Sequence, residues 1–252
     1  YLQEKGYQPL VAYWAEQDLI LAEQFRDGNV PAGMDLLPVL KEAISSLPPT
    51  VRLVRVRSDS AAYVHEVLDW CRKKVPGRPR IEFAISADMT EEIRAAIQAL
   101  PEKAWKPLRK VTDKGLIVGR KEWAEVEFVP SQPSRKKWMQ PDRYLTIRIR
   151  PAQGELFQDG TSYHYFAVVT NIWSWNGERL LQWQRERCGT VEKVLDVLKN
   201  DLAGGVMPAK RFFVNAAWWR LNALTYNVLS VMKRKSLPSS WWSVRLNALR
   251  YH

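Results

Sequence analysis

Segments with strand-like and helix-like patterns alternate along the first hundred residues of this 252-residue chain. The strand-like segments are rich in β-branched and aromatic residues, and the helix-like segments repeat apolar residues at helical spacing. The predicted strands are 7–14, 19–26, 51–57 and 81–86, and the predicted helices are 35–47, 61–74 and 90–99. Because strands that alternate with helices pack as a sheet covered on both faces, this pattern predicts an α/β fold.

The pattern changes after residue 100, where helical periodicity fades and a basic loop is predicted at 134–138. A break near Gly189 is expected to divide the first of two later helices. Strand patterns occur at 123–129, 144–150 and 165–170, and helical patterns occur at about 177–202 and about 212–232. The predicted organisation is a first core segment, a β-rich insertion, a second core segment and a basic tail, at 1–99, 100–164, 165–232 and 233–252.

The composition narrows the possible partners of the chain. Its net charge is +11 and its pI is about 9.7, and a folded surface with that excess attracts polyanions, although many basic domains have no nucleic-acid role. Two cysteines are too few for a disulfide framework or a cysteine zinc site, and they fit a reducing compartment. No apolar run reaches the ~18 residues of a membrane helix, and no secretory signal is visible, so a cytoplasmic location is expected.

One acid lies among bases in the segment 185–199. Glu192 and Lys199 are seven positions apart, which is about two turns of a helix, so the two side chains are predicted to share one face. Arg185 and Arg187 precede them. In a basic chain this arrangement suggests a carboxylate that holds a metal ion beside a phosphate backbone. The alternative is a solvated helix with ordinary charge pairs.

Asp59 follows a predicted strand and precedes a predicted helix, at the sheet edge where open α/β folds bind ligands. A helix cap is the alternative, although Ser60 could take that role. If Asp59 and Glu192 converge to ~4 Å, their repulsion of roughly 4 kcal/mol must be offset by a proton or by a divalent cation. Carboxylate oxygens select Mg²⁺ or Mn²⁺, and the three histidines show no metal-ligand spacing. Clustered acids with Mg²⁺ and basic surroundings are typical of two-metal phosphodiester chemistry.

Three segments carry a resemblance to a known family. The first is RSDSAAY at 57–63, the second is the acid-and-base segment 185–199, and the third is the apolar segment 212–231, which contains NAAW and LTYN. With these segments the chain resembles the DDE transposases of bacterial insertion sequences, of the DDE group 1 type, over nearly its whole length. The resemblance implies an RNase H-like core, with a mixed sheet flanked by helices and a β-rich insertion before the third-carboxylate helix.

The resemblance also implies the chemistry and the site. Asp59 and Glu192 would be the second and third catalytic carboxylates, and both would bind metal in a two-metal Mg²⁺ (or Mn²⁺) site. Arg185, Arg187 and Lys199 would bind DNA. The reaction would be phosphodiester hydrolysis and strand transfer at transposon ends. The partners would be double-stranded transposon-end and target DNA and a second copy of the chain, without a membrane, in the bacterial cytoplasm at the nucleoid.

The sequence departs from the family in its first catalytic Asp, which belongs on the first core strand. Asp18, Asp27 and Asp35 all lie in turn or cap contexts. The first Asp is therefore expected before Tyr1, so that the chain is N-terminally truncated, holds two of three carboxylates and does not cleave DNA by itself.

A second departure lies before Glu192, where the family places Tyr and Arg at the positions of Arg185 and Cys188. Two alternative functions stay open from the sequence. One is a non-catalytic DNA-binding remnant of a transposase, which the unassigned first Asp favours. The other is a basic α/β structural or interaction domain without a nucleic-acid role.

Overall fold

The computed structural model describes residues 6–112, 115–130, 142–150, 163–245 and 248–250, and it divides the chain into two units. The sheet unit is Arg52–Arg187, and the helical unit combines Tyr1–Val51 with Cys188–His252. The strands are β1 (Leu10–Trp14), β2 (Leu19–Gln24), β3 (Leu53–Ser58), β4 (Arg80–Ala87), β5 (Lys106–Thr112), β6 (Gly115–Phe128), β7 (Asp142–Ile149) and β8 (His164–Thr170). The helices are α1 (Leu36–Ser45), α2 (His65–Arg72), α3 (Glu91–Gln98), α4 (Gly177–Arg185), α5 (Val191–Asp196) and α6 (Phe212–Ser236).

The sheet unit contains a mixed six-stranded sheet in the spatial order β3-β4-β8-β7-β6-β5. Strands β3 and β4 are parallel, and each later neighbour pairs antiparallel. The predicted α/β class with a mixed sheet flanked by helices is confirmed, and the architecture is consistent with an RNase H-like fold. Strand β5 was not predicted, because Pro107 and the basic residues around it obscure the alternation. The basic loop predicted at 134–138 lies outside the described residues.

Both faces of this sheet are apolar. On one face Ala84, Leu145 and Val168 pack with Leu180 and Leu181 of α4. The residues next to them along the strands point to the opposite face, as the two-residue period of a strand requires. There Phe83 and Tyr144 are fully buried, and they are covered by Arg72 of α2 and by Tyr63, which precedes α2. The hydroxyl of Tyr63 lies 2.8 Å from that of Tyr144.

Helix α4 begins at a point where the backbone approaches a buried ring. A Cβ atom on Gly177 would lie 2.2 Å from Cζ3 of Trp123, whose side chain is in the core. We expect Gly177→Ala to lower the free energy of unfolding by about 2 kcal/mol, because the buried ring must move. Gly119→Ala in β6 is the control, since a Cβ there meets nothing within 4 Å. Urea unfolding of both variants measures the difference, and equal stabilities would contradict the close approach.

The first turn of α4 carries an acid that ties the helix to β5. Glu178 accepts hydrogen bonds from the backbone N–H of Arg109 at 2.8 Å and from its guanidinium. These hydrogen bonds hold the pKa of Glu178 below its ordinary value of 4.5, while burial opposes them. A carboxyl with a lowered folded-state pKa stabilises the fold above the ordinary pKa, and this stabilisation is lost as pH falls through the folded-state value.

We therefore expect Glu178→Gln to be less stable than the wild type at pH 7. The difference should shrink as the pH falls from 5 to 3, because both proteins then carry a neutral group at this position. Urea unfolding across this pH range measures it. A difference that stays constant down to pH 3 would show that the charge of Glu178 contributes nothing.

The helical unit is built on the antiparallel pair β1 and β2, against which α1 and α6 pack. The side-chain amide of Asn227 on α6 accepts from the backbone N–H of Ile20 at 2.7 Å and donates to its carbonyl at 2.8 Å. Trp219, Val194 and Leu198 are buried in the same core. Among the residues that the structure describes, no helix combines the length and the apolar character needed to span a bilayer.

The helix predicted at about 177–202 is broken, as expected near Gly189. Gly189 has φ of +86°, a left-handed conformation that favours glycine. The chain leaves α4 at Arg185 and re-enters a helix at Val191, so the two segments belong to different units. The second segment ends where the backbone N–H of Gly204 donates to the carbonyl of Leu198 at 2.8 Å.

Candidate active site

Asp59 follows the last residue of β3, at the carboxyl edge of the parallel pair β3 and β4. One carboxylate oxygen accepts from the backbone N–H of Ala61 at 3.2 Å and so caps the 3₁₀ turn Ser60–Ala62. Asp59 therefore has a capping role, as the alternative interpretation of the sequence predicted. The helix α2 begins at His65 rather than directly after Asp59. The other oxygen lies 4.0 Å from the guanidinium of Arg187, and 58% of the Asp59 side chain is exposed. Asp59 is therefore both anchored and accessible to solvent.

The end of α4 is fastened beside Asp59 by hydrogen bonds to β3 and β4. Arg57 donates to the carbonyl of Trp183 at 2.5 Å and to the carboxylate of Glu186 at 3.1 Å. The amide of Gln184 donates to the carbonyl of Ser58 at 3.2 Å and to the hydroxyl of Ser86 at 3.0 Å. These bonds fix the direction of the chain as it leaves the sheet unit after Arg187.

Alternate residues of β3 contact the chain segment that contains α4. Arg55 stacks over Trp175, just before α4, at 4.9 Å, and Arg57 stacks over Trp183 within α4 at 5.2 Å. Asp59, the next alternate residue, faces Arg187 just after α4, and we call this row of contacts the seam. The seam was missed from the sequence, although the alternation of Arg55, Arg57 and Asp59 is its local signal.

The two arginines before Glu192 have different environments. Arg185 is exposed in the last turn of α4, where a cation also interacts favourably with the helix dipole. Arg187 turns towards Asp59, and only 17% of its side chain is exposed. The structure therefore brings Arg187 and Asp59 together within the sheet unit and leaves Arg185 facing solvent.

Glu192 lies in the helical unit, in the first turn of α5. Its carboxylate accepts from the backbone N–H of Gly189 at 2.8 Å, and the side chain is exposed. A carboxylate is electrostatically favourable at the N-terminal end of a helix. The turn that the left-handed Gly189 makes possible thus orients Glu192.

Glu192 and Lys199 do not lie on one regular α-helix. The prediction that their side chains share one face assumed α-helical geometry throughout, and the structure corrects that assumption. The chain widens into a π-helical turn at Val197–Asp201, where the backbone N–H of Leu202 donates to the carbonyl of Val197 at 3.0 Å. A wider turn rotates each residue less about the axis, so the seven-residue spacing no longer matches two turns. Lys199 is exposed on this turn, and π turns occur frequently at functional sites.

The donors available for a metal ion are carboxylate oxygens. Within the described ranges, no group of three or more His, Cys, Asp and Glu side chains could hold a metal ion. His65 pairs with Asp69 at 3.1 Å and His164 packs on Phe166, while His252 lies outside the described residues. The exposed carboxylates of Asp59 and Glu192 are hard oxygen ligands of the kind that Mg²⁺ and Mn²⁺ prefer.

A further acid at the same edge was missed from the sequence. Asp88 follows the last residue of β4, and β4 is parallel to β3, so Asp88 and Asp59 leave the sheet at the same edge. Asp88 is exposed. Its position directly after a strand that precedes a predicted helix is the signal that could have found it.

Comparison with known proteins agrees with the resemblance drawn from the three sequence segments. A family model described as "Transposase DDE domain group 1" matches residues 1–252. No curated protein matches the chain. Because the family model spans the described sheet, the Asp59 edge and the Glu192 helix alike, the chain belongs to the DDE transposase domain family, group 1.

Proposed function

We propose that this domain supplies the second and third acids of a transposase that cuts and joins phosphodiester bonds at transposon ends. The family implies an enzyme of the nuclease and transposase type that acts on DNA, and such domains generally use divalent metal ions. The observation that carries the proposal is the position of Asp59, which is exposed at the carboxyl edge of β3 with the guanidinium of Arg187 at 4.0 Å. In α/β sheets this edge is where ligands bind.

Asp59 and Glu192 are proposed to hold the cation. Each carboxylate is oriented by a backbone N–H, from Ala61 and from Gly189, and each remains exposed. A pair of Mg²⁺ or Mn²⁺ ions held by such carboxylates would stabilise the attacking and the leaving oxygen of an in-line displacement at phosphorus. The contribution of this chain is to fix the two acids and to place Arg187 next to one of them.

Arg185, Arg187 and Lys199 are proposed to contact the DNA backbone. Arg185 and Lys199 are exposed on consecutive helical segments, on either side of the break at Gly189. Arg187 lies beside Asp59, so we propose that it contacts the phosphate that is held at that carboxylate. Double-stranded transposon ends and target DNA are the proposed partners, and two copies of the chain are proposed to act on paired ends.

Two other acids have carboxylates with structural partners, which compete with catalysis. Asp18 accepts hydrogen bonds from Tyr13 at 2.7 Å and from Ser230 at 3.1 Å, and Asp35 accepts from Gln24 at 3.1 Å. Asp27 lies just after β2, where its backbone forms an isolated β-bridge with Tyr7. We therefore propose that residues 1–252 bind transposon-end DNA but do not nick it by themselves.

A nicking assay with a labelled DNA duplex that carries the element's own ends tests this proposal. Residues 1–252 should shift the duplex without cutting either strand in Mg²⁺ or Mn²⁺, and addition of a segment that carries the first Asp should restore cleavage. Nicking by residues 1–252 alone would contradict the assignment of two acids. Binding that stays unproductive after the addition would select the non-catalytic remnant instead.

A further inference from the structure

Helix α6 exposes large apolar residues on one side and buries polar residues together with Trp219 and Tyr226 on the other, which departs from the usual pattern of a surface helix. Asn215, Asn222 and Ser230 are buried, while Leu221 and Leu224 are 56% and 59% exposed. Large exposed apolar patches on soluble proteins mark interaction sites.

The rotation of α6 about its axis is fixed by the hydrogen bonds of the buried face. Asn215 donates to the hydroxyl of Tyr7 at 3.0 Å and accepts from the backbone N–H of Ala209 at 3.2 Å. Ser230 donates to Asp18 at 3.1 Å. A helix that rolled its apolar side inward would leave these polar groups unpaired, at a cost that apolar burial would have to exceed. The apolar side therefore stays outward.

The exposed apolar side has the spacing of a coiled-coil seam. Its residues follow one another at steps of three and four, the heptad spacing that brings two helices together with side chains interdigitated. We name this surface the α6 stripe, and its residues are Val214, Ala217, Leu221, Leu224, Val228 and Val231. None of these six residues is charged, and all six are exposed. The stripe runs for about 25 Å along the helix.

We propose that the α6 stripe is a contact surface for a second copy of this chain. A heptad seam is complementary to itself, so one pattern serves both sides of a two-fold contact. Its large side chains and the adjacent Met232 are 43–59% exposed. Two copies that pack along the whole stripe would bury apolar surface near the lower end of stable specific interfaces, about 1,200 Å². One helix in each chain would thus provide enough apolar surface for a dimer interface.

The chemistry of the stripe disfavours DNA as its occupant. The salt-dependent attraction to phosphates comes from Lys and Arg, and none of the six stripe residues is Lys or Arg. Net charge of +11 makes two copies repel each other, so salt should preserve or strengthen an apolar dimer by screening that repulsion. Association that is bridged by DNA would weaken with salt instead.

Sedimentation velocity of the metal-free and DNA-free chain tests the proposal. The wild type should form a dimer that persists at 0.5 M NaCl. Val228→Glu, in the centre of the stripe, should raise the dimer dissociation constant at least about 10-fold, because each dimer would bury two unpaired carboxylates. Val206→Glu is the matched control, since Val206 is 71% exposed outside the stripe, and it should dimerise as the wild type does.

Circular dichroism shows whether the variants keep their helices, and Leu224→Gln provides a second variant of the stripe without a charge. A wild type that stays monomeric at 100 µM would overturn the proposal. So would dimers of Val228→Glu and Leu224→Gln as tight as those of the wild type, or a dimer that dissociates on addition of nuclease or salt. Because neither metal nor DNA is present, the outcome is independent of the proposed function.

Discussion

Asp59→Asn and Glu192→Gln are each expected to weaken Mn²⁺ binding at least about 100-fold. Each change keeps the shape of the side chain and removes the charge that a hard divalent cation requires. The proposed site has two carboxylates, so the loss of either removes half of its protein charge. Isothermal titration of Mn²⁺ at pH 7, with Mg²⁺ as competitor, measures the effect.

Matched controls distinguish these acids from their neighbours. Asp88→Asn carries the same change at the same edge of the sheet, and Glu42→Gln carries the same change on an exposed position of α1 in the helical unit. Both controls should bind Mn²⁺ as the wild type does. If Asp59→Asn and Glu192→Gln also bind as the wild type does, the two acids share no cation. A loss in Asp88→Asn instead would move the site to the end of β4.

The fold class followed from the sequence because the strand and helix periods are local. Residues 51–57 and 81–86 were predicted as strands, and they form the parallel pair β3 and β4. The order of the strands in the sheet depends on contacts between residues such as Ala84 and Thr170, which are far apart in the chain, and no local period encodes them. The division at 100–164 stays a prediction.

The candidate site was predictable only in part for the same reason. Asp59 and Glu192 stand out by their place after a strand and on a basic helix, and their roles stay proposals. The seam that presents Asp59 depends on Arg57 reaching Trp183, which is 126 positions away. The π-helical turn at Lys199 was not predictable from the sequence either, because a π turn and an α-helix show the same apolar pattern.

Helix α6 shows that periodicity does not predict which side faces the core when both sides of a helix are apolar. Residues 212–232 were correctly predicted as a helix, but the apolar pattern does not tell which of the neighbouring residues Trp218 and Trp219 faces the core. Trp219 is buried, but Trp218 is half-buried and donates to the carbonyl of Ala203. The choice of inward face is made by hydrogen bonds to Asp18 and Tyr7, which the sequence of the helix does not contain.

DNA affinity of this chain is expected to fall about 100-fold between 50 and 300 mM NaCl. Each phosphate contact made by Lys or Arg releases condensed counterions, so the three proposed contacts give a slope of log K against log salt of about −2.7. The net charge of +11 supplies this attraction. Fluorescence anisotropy with a labelled duplex in EDTA measures the slope without any contribution from metal.

Removal of one proposed phosphate contact should lower the magnitude of the slope of log K against log salt by about one. Arg185→Ala and Lys199→Ala are expected to lower its magnitude by about 0.9 each, because both side chains are exposed. Arg187→Ala should lower it less, since Arg187 is largely covered and faces Asp59. Arg80→Ala, at the opposite end of the parallel strands from Asp59, is the control in the sheet unit and should keep the full slope.

Lys41→Ala on α1 is the corresponding control in the helical unit, because Lys41 is an exposed base outside the Glu192 segment. If both controls lower the slope as much as Arg185→Ala and Lys199→Ala do, the charge acts diffusely and the assigned contacts are wrong. Weak DNA binding even at 50 mM NaCl would argue against a phosphate interface altogether. It would support a basic α/β domain without a nucleic-acid role, because an interface built on phosphate contacts binds most tightly at low salt.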